Sequence, residues 1–213
     1  RAQVRILCVD GTAKGGGAGG ARDEGGATHF VKTALSPGRS AAAPSLAADS
    51  VSWLQFSVAR LGDYDMVILA NVPDVRAEQA QALQEFVQQG GGLVVFLGDK
   101  ISGPLLNERF QAGSAFLLPA EILERVAAPK ELAEGWPIEP ASATHPLSRI
   151  LRGLPPALMS EVHLRQHFKV NPLPEAQTIL QVGGSKAPLL LEKRLGQGRA
   201  LLFASSADRT WSD

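Results

Sequence analysis

One cysteine, one tyrosine and no excess of either charge set the first limits on this chain. With Cys8 alone, no intrachain disulfide can form, so stability must come from a packed core. Lysine plus arginine equals aspartate plus glutamate, and the formal net charge is zero. No basic excess points to nucleic acid, and no run of like charge marks an interaction tail. No apolar run approaches the roughly 18 residues that span a bilayer, and no signal-peptide pattern opens the chain. Nucleic acid and direct membrane contact by this segment are therefore not expected among its partners. No ligand-spacing motif specifies a metal or cofactor, and none is expected.

What is present suits a globular domain. The 213 residues are 45% hydrophobic, enough for one domain over 1–213 with a substantial core. The chain starts at Arg1 without methionine and enters a strand pattern almost at once. It is read as a segment of a longer protein.

Short apolar runs rich in β-branched residues read as buried parallel strands. Val4 to Val9 is the first and Met66 to Ala70 the clearest. A weaker strand is expected at Ser50 to Val58. Between the first two lies a glycine-rich loop, Gly11 to Gly26, and then a helix from Thr28 with Phe30, Val31, Ala34 and Leu35 on one face. The glycine-rich segment lacks the Gly-Lys-Ser/Thr ending of a phosphate loop and reads as an insertion. A helix over Val75 to Gln89 places Leu83, Phe86 and Val87 at i, i+3, i+4. Gly90 to Gly92 cap it, and Leu93 to Leu97 is the next strand. In the second half a short helix is expected near Pro119 to Val126. Strands follow at Glu161 to Val170, Thr178 to Val182, Leu189 to Leu195 and Arg199 to Ala204, the last two joined by a Gly196-Gln197-Gly198 hairpin.

The pattern predicts an α/β layered domain of flavodoxin-like kind: a mostly parallel central sheet with antiparallel strands added in the C-terminal half. Ligands of such sheets bind beyond the carboxyl ends of the strands. Asp10 and Gly11 follow the first strand, and Asn71 follows Met66–Ala70. Gly98, Asp99 and Lys100 follow the next, while Ser205, Ser206, Asp208 and Arg209 follow the last. Trp211 stands at the same edge. His145 precedes Pro146, where it either lies near a pocket or caps a turn. His163 and His167 share a face but lack a third ligand for zinc.

Four passages carry a resemblance: ILCVDG; DYDMVILANV with its helix and GGGLVVFLGD; Thr144-His145-Pro146-Leu147 with Gly153-Leu154-Pro155; and GQGRALLFASSADRTWSD. Together, in this order, they resemble class I glutamine amidotransferase-like domains of the trehalose-utilisation branch. Such domains occur in long, membrane-anchored bacterial proteins, often beside von Willebrand-type modules. The resemblance implies a soluble domain of a parent of that kind, with neighbouring domains or a small ligand as partners.

The departures bear on activity. Working members of the class place a cysteine at a sharp strand-to-helix elbow, with a distant His-Glu pair. Here the elbow falls at Gly98 or Asp99, and Cys8 is on the first strand. A thiolate needs a base within hydrogen-bond reach, and no His-x-Glu pair occurs near the C-terminus. A non-catalytic ligand-binding or protein-interaction module is the expected function. The alternative is a hydrolase on a small polar or sugar-like substrate using Asp99, His145 and Asp208, with or without a divalent ion.

Overall fold

The computed structural model describes residues 3–12, 26–35, 46–112, 115–155 and 161–212. Most of the glycine-rich segment, from 13 to 25, lies outside the described residues, as does 36–45.

In chain order the first half contains β1 (Val4–Asp10), α1 (His29–Leu35), β2 (Leu46–Ser52), β3 (Met66–Ala70), α2 (Ala77–Gln88), β4 (Gly92–Phe96) and α3 (Gly103–Phe110). A small β5–β6 pair (Gln111–Ala112 and Ala115–Phe116) leads into β7 (Ala120–Ala127). Then come β8 (Trp136–Pro140), α4 (Pro146–Arg152), β9 (His163–Leu164), β10 (Gln166–Pro172), β11 (Gln177–Val182), β12 (Pro188–Leu195) and β13 (Gly198–Phe203).

The described strands build a nine-stranded sheet in the order β2-β1-β3-β4-β13-β12-β11-β8-β9. From β2 to β13 neighbours run parallel. From β13 onward they alternate antiparallel. The last strand thus sits inside the sheet, joining its parallel and antiparallel parts. β7 pairs with β10 as a separate antiparallel ribbon.

Strand alternation sends successive side chains to opposite faces. On β1, Leu7 and Val9 enter one buried cluster and Ile6 and Cys8 the other. The larger cluster is closed by α2, through Leu83 and Val87, and by α3, through Leu106 and Phe110. Burying each such side chain stabilises the fold by about 1.5–3 kcal/mol. Ile6, Cys8 and Ile68 form the smaller cluster, against which Val31 and Leu35 of α1 pack. Phe30, expected on the same buried face, is 43% exposed.

Three expectations are corrected, one of them the single strand at Glu161 to Val170, which divides at Arg165 into β9 of the large sheet and β10 of the ribbon. The segment expected as a helix near Pro119 to Val126 is strand β7, with Ala120 and Ile122 buried and Glu121 and Leu123 exposed. Pairing with β10 overrides the helix-forming Glu and Leu residues, and the burial period is two. The strand expected at Ser50 to Val58 is β2, which ends at Ser52. Beyond it the chain turns through two short 3₁₀ segments. The Ser52 hydroxyl accepts from Leu54 N–H, and the Ser57 hydroxyl from Ala59 N–H. Serine at each start supplies the cap.

Cys8 lies fully inside the sheet, and burial pushes its thiol up from 9.0 to about 11. The folded value is the higher one, so this contribution to stability is present below pH 9 and lost as pH rises through 11. A chromogenic disulfide reagent at mildly alkaline pH is therefore expected to label Cys8 no faster than the chain unfolds. Rapid stoichiometric labelling of native protein would contradict this placement.

Candidate functional site

β1 continues to β2 on one side and neighbours β3 on the other, which makes the β1/β3 carboxyl edge the point where strand order reverses. Ligands of open α/β sheets enter the crevice at that point. Here the crevice is bridged by the chain itself. Gly11 N–H donates to the Ala70 carbonyl at 2.9 Å. A Cβ on Gly11 would stand 1.8 Å from the Asn71 carbonyl oxygen, so only glycine permits the approach.

Asn71 is the centre of the edge. It is buried and holds a left-handed φ of 53°, a conformation Asn tolerates better than most residues. Its Nδ2 donates to Asp99 Oδ1 at 2.6 Å, and its Oδ1 accepts from Lys100 N–H at 3.0 Å. Lys100 Nζ reaches back to the Gly11 carbonyl at 2.9 Å. Gly98 allows this packing, since a Cβ there would lie 2.4 Å from Asn71 Cγ. One side chain therefore ties the ends of β3 and β4, and Lys100 extends the tie to β1. A nucleophile elbow is a strained turn. In this chain the positive φ belongs to Asn71, and the turn after β4 runs through Gly98 to Ile101 before α3 begins.

Asp10 is almost wholly buried and belongs to a neighbouring cluster. It accepts from Thr12 N–H and Oγ1 at 2.8 and 2.6 Å, and from Thr28 N–H and Oγ1 at 3.0 and 2.8 Å. Burial pulls its pKa upward, but the four hydrogen bonds outweigh it and hold the carboxyl below its ordinary 3.8. The sequence marks Thr28 only as a helix start and gives no sign of Thr12, because neither threonine signals its bond to Asp10 without its partner.

At the end of β13, Ser205 Oγ donates to the Gln166 carbonyl at 2.8 Å. Ser206 Oγ donates to the Asp208 carbonyl at 3.2 Å. Asp208 Oδ1 receives Thr210 N–H at 3.0 Å and the Thr210 hydroxyl. Trp211 is buried against Phe168, with the Arg125 guanidinium over its face at 5.6 Å. Asp208 and Arg209, with Phe30, Ala207 and Ser212, border a cavity of about 300 Å³.

His145 belongs to a different neighbourhood. It caps α4, its Nδ1 accepting from Leu147 N–H at 3.2 Å. An accepting Nδ1 puts the ring proton on Nε2, which faces Glu192 Oε2 at 3.2 Å. Glu192 Oε1 in turn accepts from Arg199 Nη1 at 2.7 Å. Glu192 is registered with Leu201, and Leu201 with Val94, two residues short of the β4 edge. Asp99, His145 and Asp208 thus have separate partners, and none is bonded to another. The sequence did hold a signal for Glu192: an acidic residue inside the apolar run PLLLEKRL of β12.

His163 Nε2 lies 3.6 Å from a Glu134 carboxylate oxygen. His167 is buried, donates from Nδ1 to the Phe168 carbonyl at 3.0 Å and meets Trp136 edge-on. Burial holds its pKa below 6.5. Among the described residues no group of three His, Cys, Asp or Glu side chains is placed to hold a metal ion.

The sheet order, with its parallel core and antiparallel C-terminal strands, is that of the class I glutamine amidotransferase-like α/β fold. No family model and no curated protein matches the chain. Among solved structures it is similar to the cytoplasmic protein STM1381 of Salmonella typhimurium LT2, with a TM-score of 0.67, 17% identity, and coverage of 98% of this chain and 90% of that one. STM3548, a cytoplasmic protein of Salmonella typhimurium, gives 0.65, 16%, 98% and 89%. The β-galactosidase of Rahnella sp. R3 gives 0.59 and 17%, with 98% of this chain matching 29% of that longer one. At these identities the likeness is one of fold. No helix among the described residues is long and apolar enough to cross a membrane.

Replacing Asn71 separates its two roles. Asn71→Gly loses the side-chain bonds but keeps the left-handed backbone. Asn71→Ala also bears the cost of positive φ, about 1 kcal/mol more. Chemical denaturation is expected to rank wild type above Asn71→Gly and Asn71→Gly above Asn71→Ala. Equal stability for the two variants would remove the backbone argument. For Asp10 the folded pKa is depressed, so its contribution is present above about pH 4 and lost as pH falls through the folded value. Asp10→Asn is expected to flatten the stability profile over that acid range.

Proposed function

We propose that this domain is non-catalytic, an amidotransferase-like fold serving as a ligand-binding or protein-interaction module. Its parent is a larger, membrane-anchored bacterial protein of the kind suggested by the trehalose-utilisation-type sequence passages. The observation that carries the reading is the closed strand edge. Asp99 and Lys100, the ionisable groups beyond β4, are engaged by Asn71 and by the Gly11 carbonyl. Acyl transfer requires a nucleophile and a base that meet at the substrate. The elbow carries Gly98 and Asp99 where a cysteine would stand, and Cys8 is a buried, high-pKa thiol on β1. The hydrolase alternative requires Asp99, His145 and Asp208 around one substrate, and their separate partners give it no support.

A module reading also agrees with the β-galactosidase likeness, in which the similar region is under a third of the longer chain. The parent's anchor and neighbouring domains belong to this proposal.

Purified protein is expected to hydrolyse glutamine, chromogenic esters and chromogenic glycosides no faster than buffer, with Asp99→Asn and Asp208→Asn making no difference. A measurable rate that falls about a hundredfold in Asp99→Asn would sink the reading, since that is the scale of a lost general acid or base.

A further inference from the structure

The cleft between α4 and the β12–β13 hairpin carries an arrangement of charge that the fold does not explain. The cleft has a volume of about 350 Å³. Arg194 and Arg199 line it beside two carboxylates that are already paired, Glu175 with Lys193 and Glu192 with His145 and Arg199, and the two arginines stand directly opposite one another in the antiparallel register. Like charges in that relation destabilise a strand pair. Arg199 is relieved on one side, its Nη1 donating to Glu192 Oε1 at 2.7 Å. Among the described residues Arg194 has no hydrogen-bond or ion-pair partner.

The buried residues beneath fix one of the two guanidinium groups. Glu192 and His145 are both buried, and the His145 Nε2–H bond to Glu192 leaves the second carboxylate oxygen for Arg199. A guanidinium has five N–H donors, and Arg199 commits one of them to Glu192. Arg194 keeps all five. Two such forks, one braced from below, match the acceptor geometry of a phosphate or carboxylate. At the wall of the cleft, Gln177 donates from Nε2 to Ser142 Oγ at 3.0 Å, which leaves its amide oxygen to accept. Thr144 lines the same wall.

We propose that this cleft binds a small organic anion, its phosphate or carboxylate head held between Arg194 and Arg199 and its hydroxyl-bearing body against Gln177 and Thr144. The inference rests on reading the domain as a binding module, and it places the ligand on the flank of the sheet instead of at the amidotransferase edge. The bound oxyanion gives Arg194 the counter-charge that Glu192 already gives Arg199, so the repulsion that remains without ligand becomes part of the affinity and of its selectivity for anions.

Calorimetric titration at low salt tests this with inorganic phosphate, glucose 6-phosphate and gluconate as probes. The expected result is binding of at least one organic probe, weakened about tenfold or more in Arg194→Gln and in Arg199→Lys, which keeps a cation beside Glu192 but loses the fork. Binding of glucose 6-phosphate alone identifies a phosphorylated ligand, and binding of gluconate alone a carboxylated one. Ligand-free Arg194→Gln is expected to melt above wild type, because a facing like charge has gone; a structural arginine would give the opposite. Absence of heat from every probe at about 10 mM overturns the proposal. So does affinity unchanged in Arg194→Gln, a lower melting temperature for that ligand-free variant, or binding of inorganic phosphate with no gain from an organic body. None of these outcomes involves turnover, so failure here is distinguishable from failure of the non-catalytic reading, which only hydrolysis can break.

Discussion

The carboxyl edge of the parallel sheet depends on one buried amide. Asn71 sits where strand order reverses, and its two polar atoms face β4's exit while its backbone presses on β1's exit. Glycine at 11 and at 98 is what lets three strand ends come this close. In open α/β sheets such a point is the crevice in which ligands bind. Here the protein's own side chains occupy it, and the backbone strain expected at a nucleophile appears on the residue that does the tying.

Much of the parallel half was legible because its signals are local. MVILA, LVVF and the glycine cap after α2 announce a strand, a strand and a helix end without tertiary information. The hairpin at Gly196 and Gln197 was legible for the same reason, with Gly196 at a φ of 59°. What failed was decided by partners distant in sequence. AEILERVA has good helix formers, but a ribbon with β10 claims it. The second strand was misplaced because two serines cap short turns where the composition looked extended. Of the candidate residues, the sheet rule identified those at the edge but could not say that Asn71, Asp99 and Lys100 engage one another. It had no means of joining His145 to Glu192, 47 residues away.

That pairing has chemical interest of its own. A general-base histidine keeps one ring nitrogen free for the reacting proton; His145 has neither free, since Nδ1 accepts from Leu147 N–H and the Nε2 proton faces Glu192. The pair lies on the antiparallel side of the sheet, below the level of the β4 edge, and its carboxylate leans on an arginine. The engagement of both ring nitrogens, more than residue type, therefore separates a histidine–carboxylate pair that could serve a nucleophile from one that braces a cation.

The interior place of β13 has a consequence for how the molecule comes into being. Synthesis delivers β1 to β4 long before their neighbour at residues 198–203 exists. Until then the growing chain exposes the open flank of β4, a row of unpaired amides and carbonyls of the kind that recruits foreign strands. The arrival of the last strand zips both halves together at once, so the domain should mature as a single late event. A nascent chain stalled before that point would be a substrate for chaperones.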